Sequence, residues 1–173
     1  VRDDVAKSLR LTDPVVVTAT VDRPNIFLEV VDGDAIGDAE AELADLYEWI
    51  TDNDGAGLVY ACKREEVERI AAELSDAGVD AQAYHAGMEA GARARVAGGF
   101  ASGGAPRVVV ATIAFGMGIN KSDVRWVVHW DLPKMLANLL QEMGRGGRDG
   151  QPAASRVYHT RRRRVTVGGG GGR

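Results

Sequence analysis

Short apolar runs alternate with amphipathic stretches along most of this chain, and that alternation dictates the fold class. Gly57–Ala61 (GLVYA), Ala81–His85, Arg107–Ala111 (RVVVA) and Arg125–Trp130 (RWVVHW) read as strands, with helical stretches among them. RVVVA is apolar enough to lie centrally, buried on both faces. The pattern is that of an α/β domain with a mainly parallel central sheet flanked by helices.

The helices are legible from their stripes. Asp38 is placed to cap a helix whose Leu43, Leu46, Tyr47 and Ile50 recur at i, i+3, i+4, i+7. Arg64–Ala77 has an inner stripe of Val67, Ile70, Ala71 and Leu74, and Gly78 stops it. Leu136, Leu139, Leu140 and Met143 repeat the spacing. The stretch from Met88 to Phe100 should also be helical, but Gly91, Gly98 and Gly99 interrupt it. Each costs about 1 kcal/mol against alanine, so a frayed or shortened helix is expected. Arg156–His159 adds a final strand. Residues 1–20 read as a helix bearing Val5 and Leu9 and a strand over Pro14–Thr18, before a linker at Asp22–Asn25. The arginine–glycine tail from Arg161 should be disordered.

At 173 residues, 45% hydrophobic and 27% charged, the chain is one ordinary domain able to bury a core. Its single cysteine excludes an internal disulfide framework and a multi-cysteine zinc site. With no stretch of about 18 apolar residues and no signal peptide, the expectation is a soluble intracellular protein without a membrane partner. The net charge of −4 is uneven: without the five arginines of the tail, 16 basic residues face 25 acidic ones. Any nucleic-acid contact must then be local, because the global field is repulsive.

Three loops are expected at the strand-end crest, where open α/β sheets bind ligands. They are Tyr60–Arg64, Thr112–Lys121 and Gln141–Gly150. In the third, Arg145 and Arg148 stand three apart among Gly144, Gly146, Gly147 and Gly150, so the backbone can approach a ligand closely. Two guanidiniums so presented suit the oxygens of a polyphosphate, as an arginine finger on a γ-phosphate does. From spacing alone, a glycine-rich helix end with solvated arginines fits equally well. The second loop is not a Walker A loop: that pattern needs G-x-x-x-x-G-K-S/T, and here Ile119 and Asn120 separate Gly118 from Lys121. The chain can complete a nucleotide site but not constitute one.

Together these segments resemble the RecQ helicases. AYHAGM (Ala83–Met88), VVVATIAFGMGINKSDVRWVVHWDLPK (Val108–Lys134) and QEMGRGGRDG (Gln141–Gly150) are similar to that family's motifs IVa, V and VI, in order, and VDRPN (Val21–Asn25) stands where the family's FDRPN opens this domain. The resemblance implies a RecA-like three-layer fold. It divides the chain into 1–20 (tail of a preceding motor domain and linker), 21–160 (helicase C-terminal domain) and 161–173 (tail). It implies 3′-to-5′ DNA unwinding driven by ATP with Mg2+, both held mainly by a first RecA-like domain absent from this chain. Partners would be that domain, single-stranded DNA and DNA junctions, in repair and recombination. The place of action would be the cytoplasm at the nucleoid, or a nucleus.

Carried over residue by residue, the resemblance assigns Arg145 and Arg148 to the γ-phosphate, with Arg148 as the finger. Gln141 couples nucleotide state to domain closure, and Gly118 and Asn120 approach the ribose. Thr112 and the amides after it contact the tracking strand's phosphates, with Lys63 and Arg64 near a second strand contact. His85 is structural. Position 146 is glycine where the family usually has alanine, which predicts a looser loop. After Tyr158 the likeness ends where the family continues into zinc-binding and winged-helix regions, so either a truncated or frame-shifted reading or a short relative is expected, inactive alone.

Two other readings compete. A degenerate, non-catalytic module that binds DNA or a partner fits the acidic balance. A dinucleotide-binding dehydrogenase using Gly116-Met117-Gly118 fits poorly, because its glycine fingerprint is incomplete. Trp49, Trp126 and Trp130 are expected in the core rather than as base-stacking platforms, and Cys62 as a buried thiol.

Overall fold

Side chains with no polar atom to satisfy build the centre of this molecule. Val108, Val109 and Val110 are fully buried, and their strand has neighbours on both sides. The computed structural model describes residues 2–15, 22–115 and 121–161. In chain order the elements are α1 (Arg2–Ser8), β1 (Ile26–Asp32), α2 (Gly33–Ile36), α3 (Ala39–Asp52), β2 (Ala56–Tyr60) and α4 (Arg64–Asp76), then β3 (Ala81–Tyr84), α5 (Ala90–Ser102), β4 (Val108–Ala111), β5 (Val124–His129), α6 (Leu136–Met143) and β6 (Ala153–His159). The sheet order is β1-β6-β5-β2-β4-β3, and every pairing is parallel.

Alternation along the strands divides the core into two layers. Val59, Val110, Val128 and Tyr158 face α3 and α4, whose Leu46, Ile50, Ile70 and Leu74 close that side. Leu58, Val109 and Val127 face the other way, toward Phe100 and Val96 of α5 and toward Phe115. Burying a side chain such as Phe100 contributes about 1.5–3 kcal/mol. Trp126 and Trp130 are buried in the first layer, and Trp49 meets Trp126 edge-on at 5.7 Å. Trp126 and Trp130 are core, as expected, and Trp49 packs half-buried against it.

Asp38 caps α3 by accepting from the amides of Glu40 and Ala41. Gly78, at φ +92°, follows the end of α4. The helix expected to fray does not: α5 runs unbroken through Gly91, Gly98 and Gly99. A Cβ on Gly99 would strike the backbone carbonyl of Ala105, so the absent side chain lets the following turn pack against the helix. The apolar stripe of α6 also departs from expectation. Leu136 and Leu140 are exposed, and the buried residue of this helix is Glu142. β1 was not anticipated. Of the strand expected over Pro14–Thr18, Pro14 and Val15 lack regular structure and 16–18 lie outside the described residues, as does the tail from residue 162.

Candidate functional site

The loop carrying Arg145 and Arg148 follows a helix and precedes a strand, and this order decides where its backbone lies. It sits at the leading end of the sheet, opposite the crest anticipated for it. The Gly147 amide donates to Val124 O at 2.8 Å and the Asp149 amide to Ser122 O at 3.2 Å. The Arg125 guanidinium adds two 2.7 Å bonds to the Asp149 carboxylate and one to Pro152 O. That pairing holds the Asp149 carboxyl below the usual carboxylate range.

A second arginine closes the loop from the far end of the chain. Arg23 donates to the carbonyls of Gly144 (3.1 Å), Gly146 (2.7 Å) and Gly147 (2.9 Å). Asn25 Nδ2 donates to Gly147 O and Gln151 O at 2.9 and 2.8 Å. The Asp22–Asn25 segment, read in the sequence as a linker, is thus a staple. The looseness expected from Gly146 is opposed by this staple. Gly146 is buried, and an added Cβ would meet the Ala153 methyl at 3.3 Å.

From this loop the arginine side chains run along the second face of the sheet. Arg145 and Arg148 line a narrow cleft with Leu58, Phe115, Lys121 and Val124. Arg145 is half-buried and its charge lies close to the hydroxyl of Tyr60, at the crest end of β2; Arg148 and Gln141 are exposed. Tyr60 donates to Phe115 O at 2.9 Å. Burial pushes its phenol well above the ordinary range, with Glu142 adding to the rise and Arg145 opposing it, so the hydroxyl stays protonated as a donor. Beneath it His129 stacks at 5.6 Å and pairs with Glu142 at 2.9 Å, both buried. Neither Tyr60, His129, Glu142 nor Arg23 was singled out as a site residue. Glu142, the single charged residue of its helix, was the one visible signal.

The crest gathers the residues assigned to strand contact. Thr112 follows β4, and its amide donates to Tyr84 O at 3.2 Å. Lys63 and Arg64 open α4 after β2, both exposed, and the Arg64 guanidinium lies over Gly87. His85 is buried, bonds Glu68 at 2.9 Å and holds Met88 through its amide, so it is structural as expected. Between the ends of β2 and β5 opens a cavity of about 250 Å³ walled by Tyr60, Cys62, Ile113, Asp131 and Lys134. Cys62 is exposed, contrary to the buried thiol expected, because its position follows the strand rather than lying within it. Partial burial and the carboxylates of Asp131 and Glu142 raise its thiol pKa. Gly118 and Asn120 lie outside the described residues. Among the described residues, no group of three His, Cys, Asp or Glu side chains is placed to hold a metal.

Residues 40–150 match the model of the helicase conserved C-terminal domain. The chain is 43% identical over 159 residues to the ATP-dependent DNA helicase RecQ of Pasteurella multocida, covering 91% of this chain and 24% of that protein. It is 41% identical over 175 residues to the ATP-dependent DNA helicase Q5 of Rattus norvegicus, 96% of this chain and 18% of that one. It thus spans about a quarter or less of the relatives it matches. Of solved structures, S. cerevisiae Dbp5 bound to RNA superposes with a TM-score of 0.75 at 18% identity, over 92% of this chain and 42% of that one. A DEAD box protein from Methanococcus jannaschii gives 0.71 at 23%, over 94% and 43%. At those identities the likeness is one of fold.

Proposed function

Since the chain belongs to the helicase conserved C-terminal domain family, in its RecQ form, we propose that it is the second motor lobe of a 3′-to-5′ DNA helicase. The observation that carries this reading is the pair Arg145 and Arg148, delivered by one clamped loop to one cleft of the sheet face. At about 10 Å³ that cleft is far too small for a nucleotide. The guanidiniums suit phosphate oxygens, so the triphosphate they serve comes from outside, on a first lobe that also holds Mg2+. When bound there, ATP supplies the phosphoryl transfer that drives closure and reopening of the two lobes.

Arg148, the more exposed of the pair, is assigned to the charge that develops on the γ-phosphoryl oxygens. Such a finger is worth about 10³–10⁵ in turnover. Arg145, beside Tyr60 and through it next to the loop after β4, links the phosphate to the strand grip. Gln141, exposed on α6, is assigned to coupling nucleotide state to closure of the lobes. Thr112, Lys63 and Arg64 at the crest hold phosphates of single-stranded DNA, so that closure advances the strand. Lacking a Walker A loop, this lobe does not turn over ATP alone.

The test is Arg148→Ala in the full-length protein. DNA-stimulated ATP turnover should fall by about 10³ or more while binding of a fluorescent ATP analogue is kept. Wild-type turnover in that variant rejects the assignment. A full-length protein that binds DNA but never hydrolyses ATP makes the chain a non-catalytic module instead.

A further inference from the structure

We propose that Arg23 is a positioning residue for the arginine finger, setting the direction in which Arg145 and Arg148 leave the backbone; the inference rests on the motor reading above. The carbonyl of Gly144 belongs to the peptide unit that carries the Arg145 amide, and that of Gly147 to the unit that carries the Arg148 amide. Arg23 bonds both of these carbonyls, and that of Gly146 between them. One side chain therefore fixes the peptide planes immediately ahead of both fingers.

The chemistry demands an arginine. Three carbonyl dipoles converging on one point need several donors in a rigid fork with a permanent positive charge. A lysine ammonium offers a single point that cannot serve all three with good geometry. Asn25 completes the grip, accepting from the Arg23 Nε at 3.5 Å and donating to Gly147 O. Because its guanidinium is spent on these carbonyls, Arg23 is not itself a phosphate ligand. It acts through the two arginines whose backbone it holds. Displacing a transition-state group by about 1 Å costs about 10²-fold in rate, so a loosened staple should be read in kcat.

The experiment uses the full-length protein with Arg23→Ala, Arg23→Lys, Gly147→Ala, Arg107→Ala and Arg148→Ala side by side. Gly147 stands at φ +53°, and a Cβ there would lie 2.5 Å from Asn25 Nδ2, so Gly147→Ala disturbs the same staple from the other side. Arg107 clamps the carbonyls of Ile50, Asn53 and Gly55 at the end of α3, which makes it a comparable staple away from the arginine loop. Arg23→Ala and Gly147→Ala should lower kcat about 10- to 100-fold with the KM for ATP within about twofold of wild type. Arg23→Lys should fall between, and millimolar guanidinium should restore part of the kcat of Arg23→Ala. Arg107→Ala should lower the melting temperature with kcat kept. Wild-type kcat in Arg23→Ala, or in Arg23→Lys should the alanine variant fail to fold, overturns the proposal. So does an equal kcat loss in Arg107→Ala, which would reduce the effect to stability. Wild-type turnover in Arg148→Ala would instead remove the motor reading on which the proposal stands.

Discussion

The hydroxyl of Tyr60 donates to the backbone carbonyl of Phe115 across 2.9 Å, tying the last residue of β2 to the loop that leaves β4. Tyr60→Phe keeps the ring and its stacking on His129 but leaves the Phe115 carbonyl short of one partner. A buried group stripped of its partner costs about 1–3 kcal/mol. The urea midpoint should drop accordingly, with an unchanged m-value. A midpoint equal to wild type would show that the bond contributes nothing.

Adjacent glycines of α5 should respond with opposite signs. Gly98 has open space where a Cβ would go, so Gly98→Ala should stabilise the domain by up to about 1 kcal/mol, the difference in helix propensity. At Gly99 the added methyl meets the Ala105 carbonyl, and Gly99→Ala should destabilise by about 1–3 kcal/mol as the turn is forced away. Thermal melts of the two variants against wild type decide this, and equal shifts would contradict the packing described.

Acid should loosen the arginine loop through Asp149. Its folded pKa is depressed by Arg125, so its contribution is present above the unfolded aspartate value of about 3.9 and is lost as pH falls through the lower folded value. The gap in melting temperature between wild type and Asp149→Asn should therefore hold from neutral pH to about pH 5. It should narrow below about pH 4. A gap that widened on acidification would contradict the pairing.

Strand contact by Lys63 and Arg64 has a signature in salt. Each phosphate neutralised on single-stranded nucleic acid contributes about −0.7 to the slope of log K against log salt. The double variant Lys63→Ala, Arg64→Ala should flatten that slope by about one unit or more and weaken all sequences alike. A fluorescence-anisotropy titration of the full-length protein at several salt concentrations measures it, and an unchanged slope removes both residues from the DNA path.

Local pattern carried much of the architecture. The stripes of α3 and α4 and the apolar runs of β2, β4 and β5 each report burial on their own element, so they are visible in one dimension. β1 was not, because Phe27 and Val30 face solvent in a strand whose burial follows no clean alternation. The stripe of α6 shows the limit of periodicity: it identifies an apolar face, as at Leu136 and Leu140, but not whether this chain covers it. Arg145 and Arg148 were legible through their glycines and their likeness to a motif. Their loop lies at the leading end of the sheet and not at the crest, because the chain reaches it from a helix and leaves it into β6. The role of Arg23 was invisible in sequence, since its partners lie more than 120 residues away.

The seating of β6 between β1 and β5 bears on how the molecule assembles. Ile26 pairs with Ala153 and Asp32 with His159, so the earliest strand of the sheet waits for the latest one. During synthesis, a nascent chain stopped before Ala153 would leave β1 without a neighbour and expose the flank of β5. Closure of the sheet is therefore a late event on the ribosome, and a slow one by the rule that distant pairings delay folding. A lobe of this design commits to its native state only after its final strand has emerged.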